Sequence, residues 1–288
     1  MTNSKHILIT GSNGQLGNEC RILSLNYPQY TYTFVSKDEL PIDDFDAVKK
    51  AFTSTQFDYC INCAAYTAVD QAEVNQSAAF SINASAVENL ADLCKQYSVQ
   101  LIHISTDYVF DGENNIGYNE MDTTNPLNVY GASKLAGEKA ALAINPSSII
   151  IRTSWVYSSF GKNFVKTMMR LMREKEEISV VADQIGRPTY AADLAAAIFV
   201  IISKNREIIP GIYHYANEGI ISWFEFAQEI KEIGSYPCRV NPIKSIEYPV
   251  PAKRPRYSIL STNKIESTFG IHMSYWKDSL RRCMQLIQ

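Results

Sequence analysis

The chain has 288 residues, 46% of them hydrophobic, and a formal net charge of −3. That length and apolar content predict a packed core in one large domain or two intimate ones, and exclude a disordered chain. The mixed charges give neither a nucleic-acid-binding tail nor a polybasic membrane patch. No apolar run nears the roughly 20 residues that span a bilayer. The opening MTNSKHILIT is neither a signal nor a transit peptide, so a cytoplasmic protein is expected.

In chain order, HILIT (6–10) is a short apolar strand, followed by a glycine-rich turn and a helix through NECRILSLN. YTYTFV (30–35) alternates as a strand, 45–52 reads as a helix, 58–62 as a third strand, and 78–97 as one strongly periodic helix. QLIHIS (100–105) is a further strand. A loop rich in Asn, Gly and Asp then leads to a helix carrying Tyr130 and Lys134, and SIIIR (148–152) is again a strand. Short apolar strands separated by helices predict an α/β fold with a doubly wound parallel sheet, whose ligands bind beyond the carboxyl ends of the strands. After about Trp155 the pattern loosens. Helices are expected over 164–173, 191–203, 223–233 and 275–287, with short strands at 179–181 and 213–216. Residues 1–155 read as a dinucleotide-binding domain with later segments crossing back, and 156–288 as mainly a smaller substrate-binding lobe.

The first turn carries the first chemistry. Gly11, Gly14 and Gly17 stand in TGSNGQLG, where a strand ends and a helix opens. Glycine permits the tight turn and close backbone approach, and a helix N-terminus offers free N–H groups to a pyrophosphate. The second strand should end at the adenosine ribose, where an acid would bond both hydroxyls of NAD. Ser36 and Lys37 stand there and suit a 2′-phosphate, whereas Asp38 can face the ribose or offset the lysine. The reading leans to NADPH and leaves NADH open.

The second set lies in STDYVF (105–110) and VYGASK (129–134). Tyr130 and Lys134 share a helical face, and alone they are an ordinary i, i+4 pair. With Thr106 at a strand end they form an acid–base set. Thr106 would bond a substrate carbonyl, Tyr130 would give that oxygen its proton, and the Lys134 ammonium would lower the phenol from its usual value near ~10. Lys134 would also hold the nicotinamide ribose.

These stretches resemble the extended short-chain dehydrogenase/reductase superfamily, and within it the family of dTDP-4-dehydrorhamnose reductases. GQLG (14–17), AAYTAVDQAE (64–73), STDYVF (105–110), PLNVYGASKLAGE (126–138), RTSWVY (152–157), NFVKTMMRL (163–171), DQIGRPT (183–189) and RPRYS (254–258) follow in family order across most of the chain. The resemblance implies NADPH-dependent reduction of the C4 keto group of a dTDP-sugar to give dTDP-L-rhamnose. It implies cofactor contacts from Gly14, Gln15, Leu16, Ala65, Tyr66 and Thr67. Thr106, Tyr130 and Lys134 would be catalytic, and Val69, Thr106, Asp107, Tyr108 and Trp155 would contact the sugar. Pro41 stands where the family often has Asp, and Ile42 would still pack on the adenine. Some relatives form homodimers around Mg²⁺ held by glutamates; Glu19 matches one of these, and Ala192 stands where another is expected. The same branch contains the non-catalytic β-subunit of methionine adenosyltransferase, and epimerases and dehydratases of nucleotide sugars are its neighbours.

Other features read more plainly. Cys60 and Cys63 have CxxC spacing with no partner pair, so buried structural thiols are expected. Arg187 can serve a diphosphate or simply the surface. Arg254 and Arg256 read first as solvated.

Overall fold

The computed structural model describes residues 4–204 and 208–287. At its centre stand strands too apolar to face water on either side. The first half runs β1 (Lys5–Thr10), α1 (Gln15–Ser24), β2 (Tyr30–Val35), α2 (Phe45–Ser54), β3 (Tyr59–Asn62), α3 (Val69–Ala72), α4 (Gln76–Phe80), α5 (Ala86–Gln96), β4 (Gln100–Thr106), α6 (Val129–Ile144) and β5 (Ile149–Thr153). There follow β6 (Val156–Tyr157), α7 (Phe164–Glu174), β7 (Glu177–Val181), β8 (Ile185–Gly186), β9 (Thr189–Tyr190), α8 (Ala191–Ser203), β10 (Gly211–Tyr215), β11 (Ile221–Ser222), α9 (Trp223–Gly234), β12 (Arg239–Ile243), β13 (Tyr257–Ser258), α10 (Asn263–Phe269) and α11 (Trp276–Gln285). The strand at Arg239–Ile243 and the helix at Asn263–Phe269 have no counterpart in the sequence reading.

The large sheet has the order β10-β5-β4-β3-β1-β2, with every pairing parallel. Every residue of β3 and β5 is buried, as strands covered on both faces require. Ile7, Ile9 and Ile61 pack on one face with Leu194, Ile198 and Phe199 of α8. Leu8, Cys60 and Leu101 pack on the other with Val48 of α2 and Leu90 of α5. The strand order reverses between β1 and β3, and a ligand crevice is expected at such a switch point. A second core joins Met168 and Met172 of α7, Phe226 and Ile230 of α9, and Leu280 of α11. From the second half of the chain, β10 enters the large sheet, and α8 packs beside α1.

The periodic segment 78–97 is not one helix. A π-turn, Ser81–Ser85, separates α4 from α5. Asn83 within it is fully buried and bonds outward. Its Oδ1 accepts from the Tyr66 N–H at 2.8 Å, and its Nδ2 donates to the Tyr66 carbonyl and to Ser133 Oγ, each at 3.0 Å. The bulge turns this amide toward the loop after β3 and toward α6. It thereby fixes both to each other, a use of π-turns common beside functional sites.

All six cysteines are free, five of them buried and Cys63 half-buried. Among the described residues no helix is long and apolar enough to cross a membrane.

Candidate active site

A cleft of about 790 Å³ opens beyond the carboxyl ends of β1, β3, β4 and β5. Gly11, Gly14, Gln15 and Leu16 line one end. Thr106, Asp107, Tyr108, Tyr130 and Lys134 line the middle, and Trp155, Phe164 and Trp223 close the far side.

The glycine loop is built for close approach. Gly11 has φ +63°, and a Cβ there would lie 2.7 Å from the Ala64 nitrogen. A side chain would therefore split the loop from the segment after β3. Gly14 caps α1 with no side-chain bond, which leaves the first-turn N–H groups without a side-chain acceptor. This end of the cleft fits a pyrophosphate. Lys37, Leu40, Ile42 and Asp43 line the region beyond β2. Exposed Lys37 offers a cation there, and Ile42 an apolar surface. A dinucleotide with a phosphorylated ribose suits this set.

Thr106 ends β4, and its hydroxyl accepts from the Tyr108 N–H at 3.2 Å and donates to Asp107 Oδ1 at 3.0 Å. Asp107 Oδ2 is buried, with no hydrogen-bond partner within 3.5 Å among the described residues. Burial raises this carboxyl to about 6, against the influence of the nearby Ser258 and Thr106 hydroxyls. Asn128 caps α6 through Gly131, which starts the helix directly before Tyr130. The Tyr130 and Tyr108 rings meet edge to face at 5.7 Å.

The phenol behaves differently from the sequence expectation. Burial drives the proton affinity of Tyr130 up, the Thr106 hydroxyl opposes this, and Asp107 adds to it. Lys134 is engaged with β4: Nζ donates at 2.6 Å to the Ile104 carbonyl and lies 3.3 Å from His103 Nε2. Burial lowers Lys134 itself to about 8, against the attraction of Glu138. For each group burial is the largest influence on its proton affinity.

Most residues expected at the site meet in the cleft. Ser36 and Tyr66 do not line it. Ser36 is buried with its N–H bonded to Glu39, and the Tyr66 backbone is held by Asn83. Ala65, Thr67 and Val69 do line it. Arg187 is committed elsewhere, donating to the carbonyls of Asn217 and Leu260. Arg254 is not simply solvated: it lines the cleft, pairs with Asp70 at 2.8 Å and reaches the Tyr108 hydroxyl at 3.4 Å. Sequence reasoning missed Lys162, Phe164 and Trp223, which line the cleft from the second half of the chain. The only local signal for Trp223 is the capping box Ser222–Glu225 that starts α9 beside it.

Glu19, which matches a magnesium-holding glutamate of some relatives, is engaged within the chain. The Glu19 carboxylate accepts from Ser158 at 2.6 Å, and among the described residues no group of three or more His, Cys, Asp or Glu gathers for a metal.

A family model described as RmlD substrate binding domain matches residues 5–288. A dTDP-4-dehydrorhamnose reductase of Aggregatibacter actinomycetemcomitans is 41% identical over 285 residues, covering 96% of this chain and 97% of that protein. The chain belongs to the dTDP-4-dehydrorhamnose reductase family. Among solved structures, the family member from Bacillus anthracis in complex with NADP superposes with a TM-score of 0.94 at 41% identity, covering 98% of this chain and 99% of that one. The Clostridium acetobutylicum reductase superposes with the same score at 40% identity, with the same coverage. The doubly wound architecture expected from the strand pattern is that of these reductases.

Proposed function

We propose that the chain reduces the C4 keto group of dTDP-4-dehydro-β-L-rhamnose to dTDP-L-rhamnose with NADPH. The observation that carries this is one cleft in which Thr106, Tyr130 and Lys134 stand beside a glycine loop shaped for a dinucleotide pyrophosphate. A non-catalytic regulator has no need for that set together with Asp107 and Trp155.

Bound NADPH supplies the hydride that reaches the sugar's C4. The chain's own residues handle the oxygen. The Tyr130 hydroxyl gives its proton to the developing alkoxide, and the Thr106 hydroxyl bonds the same oxygen. The raised proton affinity of the buried phenol keeps it protonated in the resting protein, so the proton is present when charge develops. Lys134 holds the nicotinamide ribose. A second, desolvated charge on the sugar oxygen would be costly beside Asp107, which is why that carboxyl's raised proton affinity suits a site that bonds sugar hydroxyls.

Gly11, Gly14, Gln15 and Leu16 take the pyrophosphate, and Lys37 takes the 2′-phosphate. Ile42 packs on the adenine, while Ala65 and Thr67 border the cofactor. Val69, Asp107, Tyr108 and Trp155 wall the sugar. Residues 1–155 then serve mainly the cofactor and 156–288 mainly the substrate, and the site of action is the cytoplasm, where nucleotide sugars and NADPH occur together.

The test is product analysis. The purified protein is incubated with NADPH and the keto-sugar nucleotide, and the product is identified by NMR. dTDP-L-rhamnose formed in step with nicotinamide oxidation supports the reading. A product formed with no net nicotinamide oxidised would assign the chain to an epimerase or dehydratase instead.

A further inference from the structure

A buried polar chain runs beneath the cleft, from Thr10 at the end of β1 through Asn62 of β3 and His103 of β4 to Lys134 of α6. Thr10 Oγ1 donates to Asn62 Oδ1 at 2.6 Å, and the Ala64 N–H donates to the same oxygen at 3.2 Å. A backbone N–H can only donate, so the amide oxygen is fixed on that side. Asn62 Nδ2 therefore points the other way, 3.0 Å from His103 Nδ1. That ring nitrogen has to accept.

His103 is fully buried, and burial followed by the charge of Lys134 holds its proton affinity well below the usual histidine value. A neutral ring whose Nδ1 accepts carries its one proton on Nε2. Nε2 lies 3.3 Å from Lys134 Nζ. An ammonium has three donors and no acceptor, so it cannot take this N–H, whereas an amine has a lone pair that can. A histidine buried only for packing would be expected to turn its N–H to a carbonyl or hydroxyl. Here it meets the amine of the helix that also carries Tyr130.

Other groups act on the same nitrogen. The Ile104 carbonyl of β4 accepts from it at 2.6 Å. Glu138 one turn along α6 and Cys63 after β3 both favour the charge, and burial outweighs them. Arg152 of β5 pairs with Glu138 at 2.7 Å and offsets its pull. Tyr130 stands one turn back on the same helix.

We propose that Asn62 and His103 are positioning residues that fix one histidine tautomer and so bias Lys134 toward its amine form. The catalytic consequence is a lysine able to exchange its proton near neutral pH beside the proton-donating tyrosine. That consequence rests on the reductase reading, while the tautomer and the lysine titration can be measured in the free protein whether or not that reading stands.

The experiment is NMR of the full chain without cofactor, labelled with ¹⁵N in histidine and lysine. The expected His103 ring has its proton on Nε2 and an acceptor-type Nδ1. The Lys134 Nζ signal, assigned by its loss in Lys134→Arg, should titrate near about 8. Asn62→Asp is isosteric and presents a carboxylate to Nδ1. It should draw the ring proton there, free Nε2 to accept from the ammonium, and raise the Lys134 midpoint by on the order of one pH unit. Asn62→Ala removes the obligatory donor without adding charge and leaves room for a water, so a smaller rise is expected. A wild-type ring protonated on Nδ1 would overturn the proposal. So would an unchanged Lys134 midpoint in Asn62→Ala, because charge alone would then account for any rise in Asn62→Asp.

Discussion

Trp155 and Trp223 stack face to face, with ring centroids 3.6 Å apart and 12° between their planes. Trp155 follows β5 of the large sheet, and Trp223 opens α9, so the stack ties the large sheet to α9 at the far side of the cleft. Trp155 holds φ +50°, a left-handed conformation rare for a bulky residue. Gly186 lies directly against its ring, where a Cβ would come within 2.7 Å. The packing of Trp223 and Gly186 against this ring holds a backbone conformation that the residue alone disfavours.

Removing the outer ring should loosen that wall. Such stacks contribute about 0.5–1.5 kcal/mol beyond burial. Trp223→Ala is expected to raise KM for the sugar nucleotide up to roughly tenfold, with a smaller change in KM for NADPH. Steady-state kinetics with each substrate varied in turn checks this.

Gly131 sits between Tyr130 and Lys134 because α6 presses on the Tyr108 backbone. A Cβ at Gly131 would overlap the Tyr108 carbonyl oxygen. Gly131→Ala must push the helix away from the turn that carries Thr106. The expected outcome is a loss of kcat of at least about tenfold, since such sites tolerate little misplacement, with NADPH affinity largely kept. Stopped assays paired with cofactor titration by fluorescence separate the two effects.

Beneath the site, Arg152 and Glu138 form an ion pair at 2.7 Å with side chains 2% and 1% exposed. Glu138 also accepts from Ser105, so its loss strands both an arginine and a hydroxyl. Glu138→Ala is expected to cost about 3–5 kcal/mol, the usual range for removing half of a buried pair. Urea denaturation reads it as a lower midpoint at unchanged slope.

Asp107 gives stability a pH dependence. Burial raises its carboxyl from 3.8 to about 6 on folding. The folded chain thus holds this proton more tightly than the unfolded one. The stabilisation is complete below about 3.8 and is lost as pH rises through about 6. Asn at this position does not titrate. The stability of Asp107→Asn relative to the parent should therefore increase between those two values, by at most about 3 kcal/mol. Denaturation midpoints of both proteins across that interval check the sign.

What could be read from the sequence was local. The spacing of Gly11, Gly14 and Gly17 after an apolar strand, and of Tyr130 and Lys134 on one helix, carries its own geometry. The parallel sheet followed from strands such as IIIRT, too apolar for a wet face. The reading failed where a role depends on a distant partner. Trp223 and Lys162 reach the cleft only because segments far along the chain return to line it. The tie between the Tyr66 backbone and Asn83 was not legible either, because it comes from a π-turn that helical periodicity conceals. Arg187, which the sequence left open between a diphosphate and the surface, donates to the carbonyls of Asn217 and Leu260. His103 gave no signal, because one histidine in an apolar strand says nothing of the lysine it will face.

The central claim is that Tyr130 supplies the proton for an NADPH-dependent keto reduction. Its most direct test compares the wild type with Tyr130→Phe, following nicotinamide oxidation with dTDP-4-dehydro-β-L-rhamnose. General acid catalysis contributes about 10²–10⁴-fold. The variant should lose rate within that range and still bind NADPH. A Tyr130→Phe protein that oxidises NADPH at the wild-type rate, or a wild type that oxidises none, would contradict the account.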